Sequence, residues 1–265
     1  MTAQAEGPLL RYRLTLEYDG SRFAGWQRQA RGVVTVQGVV EQALERMCGH
    51  PVLLVGAGRT DTGVHALGQV AHFDTAKPRT SQVFCRALNV LTPPDVTILE
   101  AEAVSNRFHA RRAAWREYLY RILNRSAGAA LDRGRVWHHP GRLDLTAMQE
   151  AAQLLLGRQD FSAFRSANCQ SLTPVREVIR AEMHIRGDEI HFVIRANAFL
   201  YHMVRNIVGS LVLVGRNKWS LEQFHTVLLG KDRRQAGPMA PAHGLYLQRV
   251  HYADAANALD SDEIS

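Results

Sequence analysis

Between Val55 and Phe73 the chain reads VGAGRTDTGVHALGQVAHF, which sets a cation, Arg59, two residues from a carboxylate, Asp61, in a frame of glycines at 56, 58 and 63. Three familiar chemistries use glycine-rich loops of this kind. A dinucleotide loop needs G-x-G-x-x-G after a strand, because its last glycine lets a helix pack close while backbone N–H groups face the pyrophosphate. Here Gly56, Gly58 and Gly63 miss that spacing. A P-loop needs Lys and Ser/Thr after its last glycine, but Val64 and His65 stand there, and Asp61 would repel phosphates. A metal site would recruit Asp61, His65 and His72, yet Gly63 weakens any helix that would align the first two, and no second cluster supplies further ligands. What remains is an aspartate beside an arginine on backbone that permits close approach of a ligand, a pattern suited to covalent or general-base work. The neighbouring cation keeps such a carboxylate ionised when a substrate covers it and excludes water. A plain turn, with Asp61 bonding its own backbone, is an equally simple reading of Thr60 to Gly63.

Such a loop needs strands and helices to hold it. RYRLTLEYD alternates Tyr12, Leu14, Leu16 and Tyr18 against polar neighbours, the period of a half-buried strand. Thr35 caps a helix with Val36, Val39, Val40, Ala43, Leu44 and Met47 inward, closed by Gly49. VLLVG and GQVAHF follow as strands around the Asp61 loop. Ser81 caps a second helix that stops at Pro93-Pro94, and VTILEAEAV reads as strand. The order is βαββαβ. The second half repeats it: EYLYRIL as strand, a helix from Asp144 to Gly157, and a hairpin of EVIRAEMHI and EIHFVIRA about Gly187-Asp188. A strong helix follows with Leu200, Met203, Val204, Ile207, Val208 and Leu211 on one stripe. A short helix then starts at Ser220 with Gln223 completing a capping box, and GLYLQRV closes as strand. The expected fold is α+β: two ferredoxin-like (βαββαβ) halves forming a mostly antiparallel sheet with helices on one face. The expected division is 1–108 for the half with the aspartate loop and 109–254 for the second half. Residues 255–265 read as an acidic disordered tail.

Net charge is +7 with a sequence pI near 9.7, which favours an anionic partner. Nine arginines fall between Ser105 and Arg142 against only Glu117 and Asp132. A solvated face is the bland account of such a cluster. Arginine's planar fork, however, pairs with phosphate and stacks on bases, and Trp115, Tyr118, Tyr120 and Trp137 interleave with it, so nucleic acid leads as the partner. Three cysteines without a C-x-x-C pattern give no zinc, redox or disulfide framework, which fits a reducing cytoplasm. The N-terminal stretch lacks the apolar core of a signal peptide, and the most apolar run, NIVGSLVLVG, is too short to span a membrane.

GAGRTDTGVHALGQVAHF resembles the catalytic signature of the tRNA pseudouridine synthase A (TruA) family. Further matches lie at EYDGSRFAGWQRQ, FHAR, CQSLTPVR, NAFLYHMVRNIVGSLVLVG and GLYL, in order along nearly the whole chain. The resemblance implies an isomerase that turns uridine into pseudouridine in the anticodon stem-loop of tRNA, at positions 38–40, acting as a homodimer without cofactor, metal or nucleotide. It assigns Asp61 as the nucleophile on a flipped-out uridine, attacking either C6 of the base or C1′ of the ribose. Tyr118 becomes the residue that stacks on the target base and takes part in removing the C5 proton; packing in the core beside Tyr120 is its rival reading. Arg205 pairs with the aspartate, Arg59 contacts the RNA and helps displace the nucleotide, and Leu245 lies beneath the base. Arg111 and Arg112 join the substrate contacts. Two positions depart from the pattern: Thr62 stands where alanine is usual, and Glu117 where a basic residue is common. A non-catalytic RNA-binding protein and a nucleotide-binding enzyme built on the Gly56 to Gly63 loop are the competing readings.

Overall fold

The computed structural model of the chain describes residues 8–30 and 32–253, so the tail expected at 255–265 lies outside the described residues. The chain forms two compact units, one of residues up to Ala114 together with the stretch from Leu247, the other Trp115–Tyr246. The division falls six residues beyond the expected one. The final strand, expected in the second half, falls mostly in the first unit because it runs beside that unit's third strand.

In the first unit β1 (Leu10–Tyr18) buries Tyr12, Leu14, Leu16 and Tyr18 and leaves the intervening residues half-exposed, as the alternation requires. It pairs antiparallel with β3 (His65–Thr75) on one side and β4 (Val96–Val104) on the other. β2 (Val55–Gly56) pairs with β3 at His72 and Ala71. The order β4-β1-β3-β2 is that of a ferredoxin-like unit. Helix α1 (Val36–Cys48) starts where Thr35 accepts a hydrogen bond from Gly38 N and ends at Gly49, whose φ of 73° suits glycine. Helix α2 (Ser81–Leu91) drives Phe84 between Tyr12 and Phe73, with ring centroids 4.6 and 5.4 Å apart. Its N-cap is Thr80 rather than Ser81, without a side-chain cap bond. The expected strand VLLVG shortens to Val55–Gly56 because α1 takes the backbone of Leu54: Glu41 accepts from its N–H at 3.0 Å and Gln37 donates to its carbonyl at 3.0 Å.

In the second unit β5 (Trp115–Leu123), β9 (Glu189–Ala196), β8 (Val175–Arg186) and β7 (Gly157–Asp160) lie in that order, all antiparallel, and β6 (Trp137–His138) runs parallel to β5. The β8–β9 hairpin turns at Gly187-Asp188 as expected, with φ of 60° at Gly187. Helix α3 (Leu145–Gln153), capped by Asp144, stops short of Gly157, whose φ of 89° instead opens β7. Helix α4 (Met203–Gly215) begins three residues after Leu200, and α5 (Leu221–Gly230) carries the expected Ser220 cap. β10 (Leu245–His251) completes the ten mostly antiparallel strands.

Candidate active site

The loop from Ala57 to Val64 links β2 to β3 and is pinned from both sides. Ala57 N donates to Val70 O at 2.7 Å, and the buried Gln69 side chain donates to Gly58 O at 2.8 Å. Trp26 N donates to Thr60 O at 3.0 Å, while the Thr60 hydroxyl and the Tyr18 phenol share a buried hydrogen bond of 2.7 Å. Val64 N closes the turn on Asp61 O, and Gly63 supplies the positive φ of 78° that the turn needs. With Thr60 drawn inward, its neighbours point outward: Arg59 is exposed and Asp61 half-buried. Two glycines of the first motif, absent from the expected site, make this possible. A Cβ on Gly25 would stand 2.7 Å from Thr60 O, and one on Gly20 would strike Val64 O. Their signal was in the sequence as the two glycines of EYDGSRFAGW.

The histidines of this region serve structure. His65 is buried with Nδ1 accepting from Gly20 N at 3.1 Å, and His72 Nδ1 accepts from Ala110 N at 3.2 Å. Burial, helped by nearby Arg11 and His109, holds His72 down at about 4, so its ring is neutral near pH 7. Among the described residues, no three His, Cys, Asp or Glu side chains gather as a metal would require.

Tyr118, Arg205 and Leu245 belong to the second unit. Tyr118 lies on β5 opposite Ile194, 8% exposed, with its ring edge-on to Phe199 at 4.9 Å. Tyr120 is fully buried on the same strand; its hydroxyl donates to Pro241 O at 2.7 Å, and burial pushes its phenol well above the ordinary range. The two tyrosines that share a period therefore differ, Tyr120 being a strut. Arg205 sits in the first turn of α4, half-buried, and donates from Nε to Ala240 O at 2.8 Å while Ala240 N donates back to Arg205 O at 3.1 Å. This double link, with Gly209 lying against Pro238 O, fixes the segment leading to Leu245. Gly244 precedes it because the Tyr120 ring leaves no room for a Cβ. Leu245 is 5% exposed.

Glu117 has a physical reason to be acidic. It is buried in β5 directly opposite Arg195, whose Nη2 lies 2.7 Å away, with Arg180 of β8 at 3.5 Å. A basic residue there would face two arginines. Arg195 also lies over the Trp115 ring at 4.0 Å. The arginine-rich segment is partly committed in the same manner. Arg121 forks onto Glu189 at 2.8 and 2.9 Å and covers Tyr246, and Arg125 pairs with Asp188 at 3.1 Å. Arg111 and Arg112 stand exposed on a 3-10 turn, Ala110–Arg112, whose first residue follows the cap His109.

Two α+β units, the first of ferredoxin-like strand order and presenting Asp61 and Arg59 on a braced glycine loop, define an α+β class of protein with mostly antiparallel strands. A family model described as tRNA pseudouridine synthase matches residues 15–111 and 151–253. The chain is 49% identical over 244 residues to tRNA pseudouridine synthase A of Xanthobacter autotrophicus, covering 91% of this chain and 99% of that one. It is also 49% identical over 245 residues to the protein of that name from Paramagnetospirillum magneticum, covering 92% and 95%. A third relative of the same name, from Rhodospirillum rubrum, is 47% identical over 246 residues, covering 92% and 88%. The chain belongs to the tRNA pseudouridine synthase family.

Proposed function

We propose that this chain isomerises uridine to pseudouridine in the anticodon stem-loop of tRNA, at positions 38–40, with Asp61 as the nucleophile. The observation that carries the reading is the Asp61 loop itself: buried Thr60 is locked to Tyr18 and Trp26, which leaves half-buried Asp61 and exposed Arg59 on either side of it. A uridine in a stacked stem hides both C6 and C1′, so it must leave the stack, at a cost of a few kcal/mol that phosphate contacts and stacking offset. Asp61 then attacks C6 or C1′, and the N1–C1′ bond breaks. The base turns and C5 bonds to C1′; the bond to Asp61 breaks, at C1′ as C5 displaces it or at C6 by elimination, which frees the carboxylate, while the C5 proton departs and N1 gains a proton. Nothing is oxidised and no atom is added overall, so the scheme needs no redox group. Tyr118, Arg205 and Leu245 keep the roles that the resemblance gives them, and Arg59, Arg111 and Arg112 meet the RNA backbone. The active form is a homodimer in the cytoplasm.

The test is to incubate unmodified tRNA transcripts with the purified protein and map pseudouridine along them. Modification confined to positions 38–40 supports the reading. Modification elsewhere in the tRNA overturns the site but not the chemistry, and tRNA binding without any modification favours the non-catalytic RNA-binding reading instead.

A further inference from the structure

The first unit carries a cavity of about 290 Å³ whose floor has no role above, although two of its arginines, Arg59 and Arg111, do. It is lined by Trp26, Arg28, Leu53, Gly56, Arg59 and Arg111 among others, all from this unit. Its floor is apolar and stiff. Trp26 is 3% exposed and its indole lies over Gly56, where any Cβ would meet the ring at 2.5 Å. Trp26 is among the residues that line the cavity. Three exposed arginines form the rim. One nitrogen of Arg28 lies 3.1 Å from the buried Glu41 carboxylate, which anchors the side chain and leaves its other donors available. Gln37, also in the lining, is used up: its amide donates to Glu41 and Leu54 O, and its oxygen accepts from Arg28 N.

We propose that this cavity is a second nucleotide subsite, which takes one unpaired base of the RNA substrate next to the reacting uridine, with that nucleotide's phosphodiester on Arg28 and Arg111. The volume is at the small end for ligand sites, enough for a single ring system and too small for a dinucleotide. An aromatic floor suits stacking by one base, and a ring of arginines suits its phosphate. Arg59 links the subsite to the catalytic loop, since the same residue lines the cavity and stands two positions from Asp61. The inference rests on the reading of the chain as a tRNA-modifying enzyme.

Two variants test it. Arg28→Gln removes the charge from the rim, and Leu53→Trp, at a position 65% exposed, fills the cavity without touching any charge or buried group. Unmodified tRNA transcript is the probe, with filter binding against salt, single-turnover tritium release from C5-labelled uridine, and thermal melts as fold controls. Arg28→Gln is expected to weaken binding roughly tenfold or more, as loss of a charge-assisted hydrogen bond does, and to make the salt slope shallower by about 0.7–0.9. Leu53→Trp is expected to raise KM several-fold, keep the salt slope, and leave the saturated single-turnover rate unchanged. Normal KM for both folded variants, with robust wild-type tritium release, overturns the subsite. An effect of Arg28→Gln without one from Leu53→Trp overturns base insertion. Absence of tritium release from the wild type fails the enzymatic reading alone, and the binding losses still decide the cavity.

Discussion

Gly25→Ala is the substitution whose consequence can be worked furthest. Gly25 has φ of 89°, and a Cβ there would stand 2.7 Å from Thr60 O, 3.2 Å from the Asp61 carbonyl carbon and 3.3 Å from Thr62 N. The first cost is conformational, about 1–2 kcal/mol for a side chain in the left-handed region. The second is steric. The Thr60 carbonyl must retreat by roughly 0.5 Å to restore ordinary contact, and in retreating it stretches the 3.0 Å hydrogen bond from Trp26 N. Together these predict a loss of about 2–4 kcal/mol in urea unfolding. They also predict a catalytic defect, because the displaced backbone is that of the proposed nucleophile: if 1 Å of misplacement costs about a hundredfold, half of it costs about tenfold in the saturated single-turnover rate, with tRNA affinity nearly unchanged. Gly32→Ala is the control, since its φ is 88° but nothing lies within 4 Å, so it should lose stability by the conformational part only and keep its rate. A Gly25→Ala protein with the wild-type rate would refute the claim that close backbone approach places the aspartate.

Three further outcomes follow. Tyr18→Phe and Thr60→Val should each destabilise by about 1–3 kcal/mol, since each strands a buried hydroxyl or removes its bond, while the double variant should show a coupling of about 1 kcal/mol in a double-mutant cycle; strict additivity would sever the pair. His72 titrates at about 4 in the fold against an ordinary 6.5, so its folded value is depressed: its contribution is complete above pH 6.5 and is lost as pH falls toward 4, at most about 3 kcal/mol. His72→Gln should flatten that limb of the stability curve, and parallel curves for the two proteins would contradict this. Glu117→Ala should cost about 2–4 kcal/mol in urea unfolding by leaving Arg195 and Arg180 facing each other across β9 and β8, and a change under 0.5 kcal/mol would show that this carboxylate does not fix the strand.

Much of the fold was legible because local signals and burial agree there. Tyr12, Leu14, Leu16 and Tyr18 alternate in sequence and are buried in fact, and α1 is bounded by the Thr35 hydroxyl at one end and the left-handed backbone of Gly49 at the other. Where the expectation failed, tertiary partners had overruled periodicity. Val52 and Leu54 alternate like strand residues, yet Glu41 and Gln37 of α1 claim the Leu54 backbone before a neighbouring strand can. Residues of the arginine-rich segment look alike in sequence, but only the folded chain shows Arg121 bound to Glu189 while Arg111 stays exposed. The residue types and spacing of the Asp61 loop were readable, and the braces behind it were not, because Tyr18 and Trp26 lie more than thirty positions away in sequence and become neighbours only through β1, β3 and the Gly25 crossing.

The central claim is that the Asp61 carboxylate performs the chemistry. Asp61→Asn preserves shape and leaves the braces at Thr60 intact, so single-turnover tritium release from C5-labelled uridine in tRNA tests the claim with the fold unchanged. The account predicts that the variant binds tRNA as the wild type does and releases no tritium above background; release at a rate near that of the wild type would contradict it.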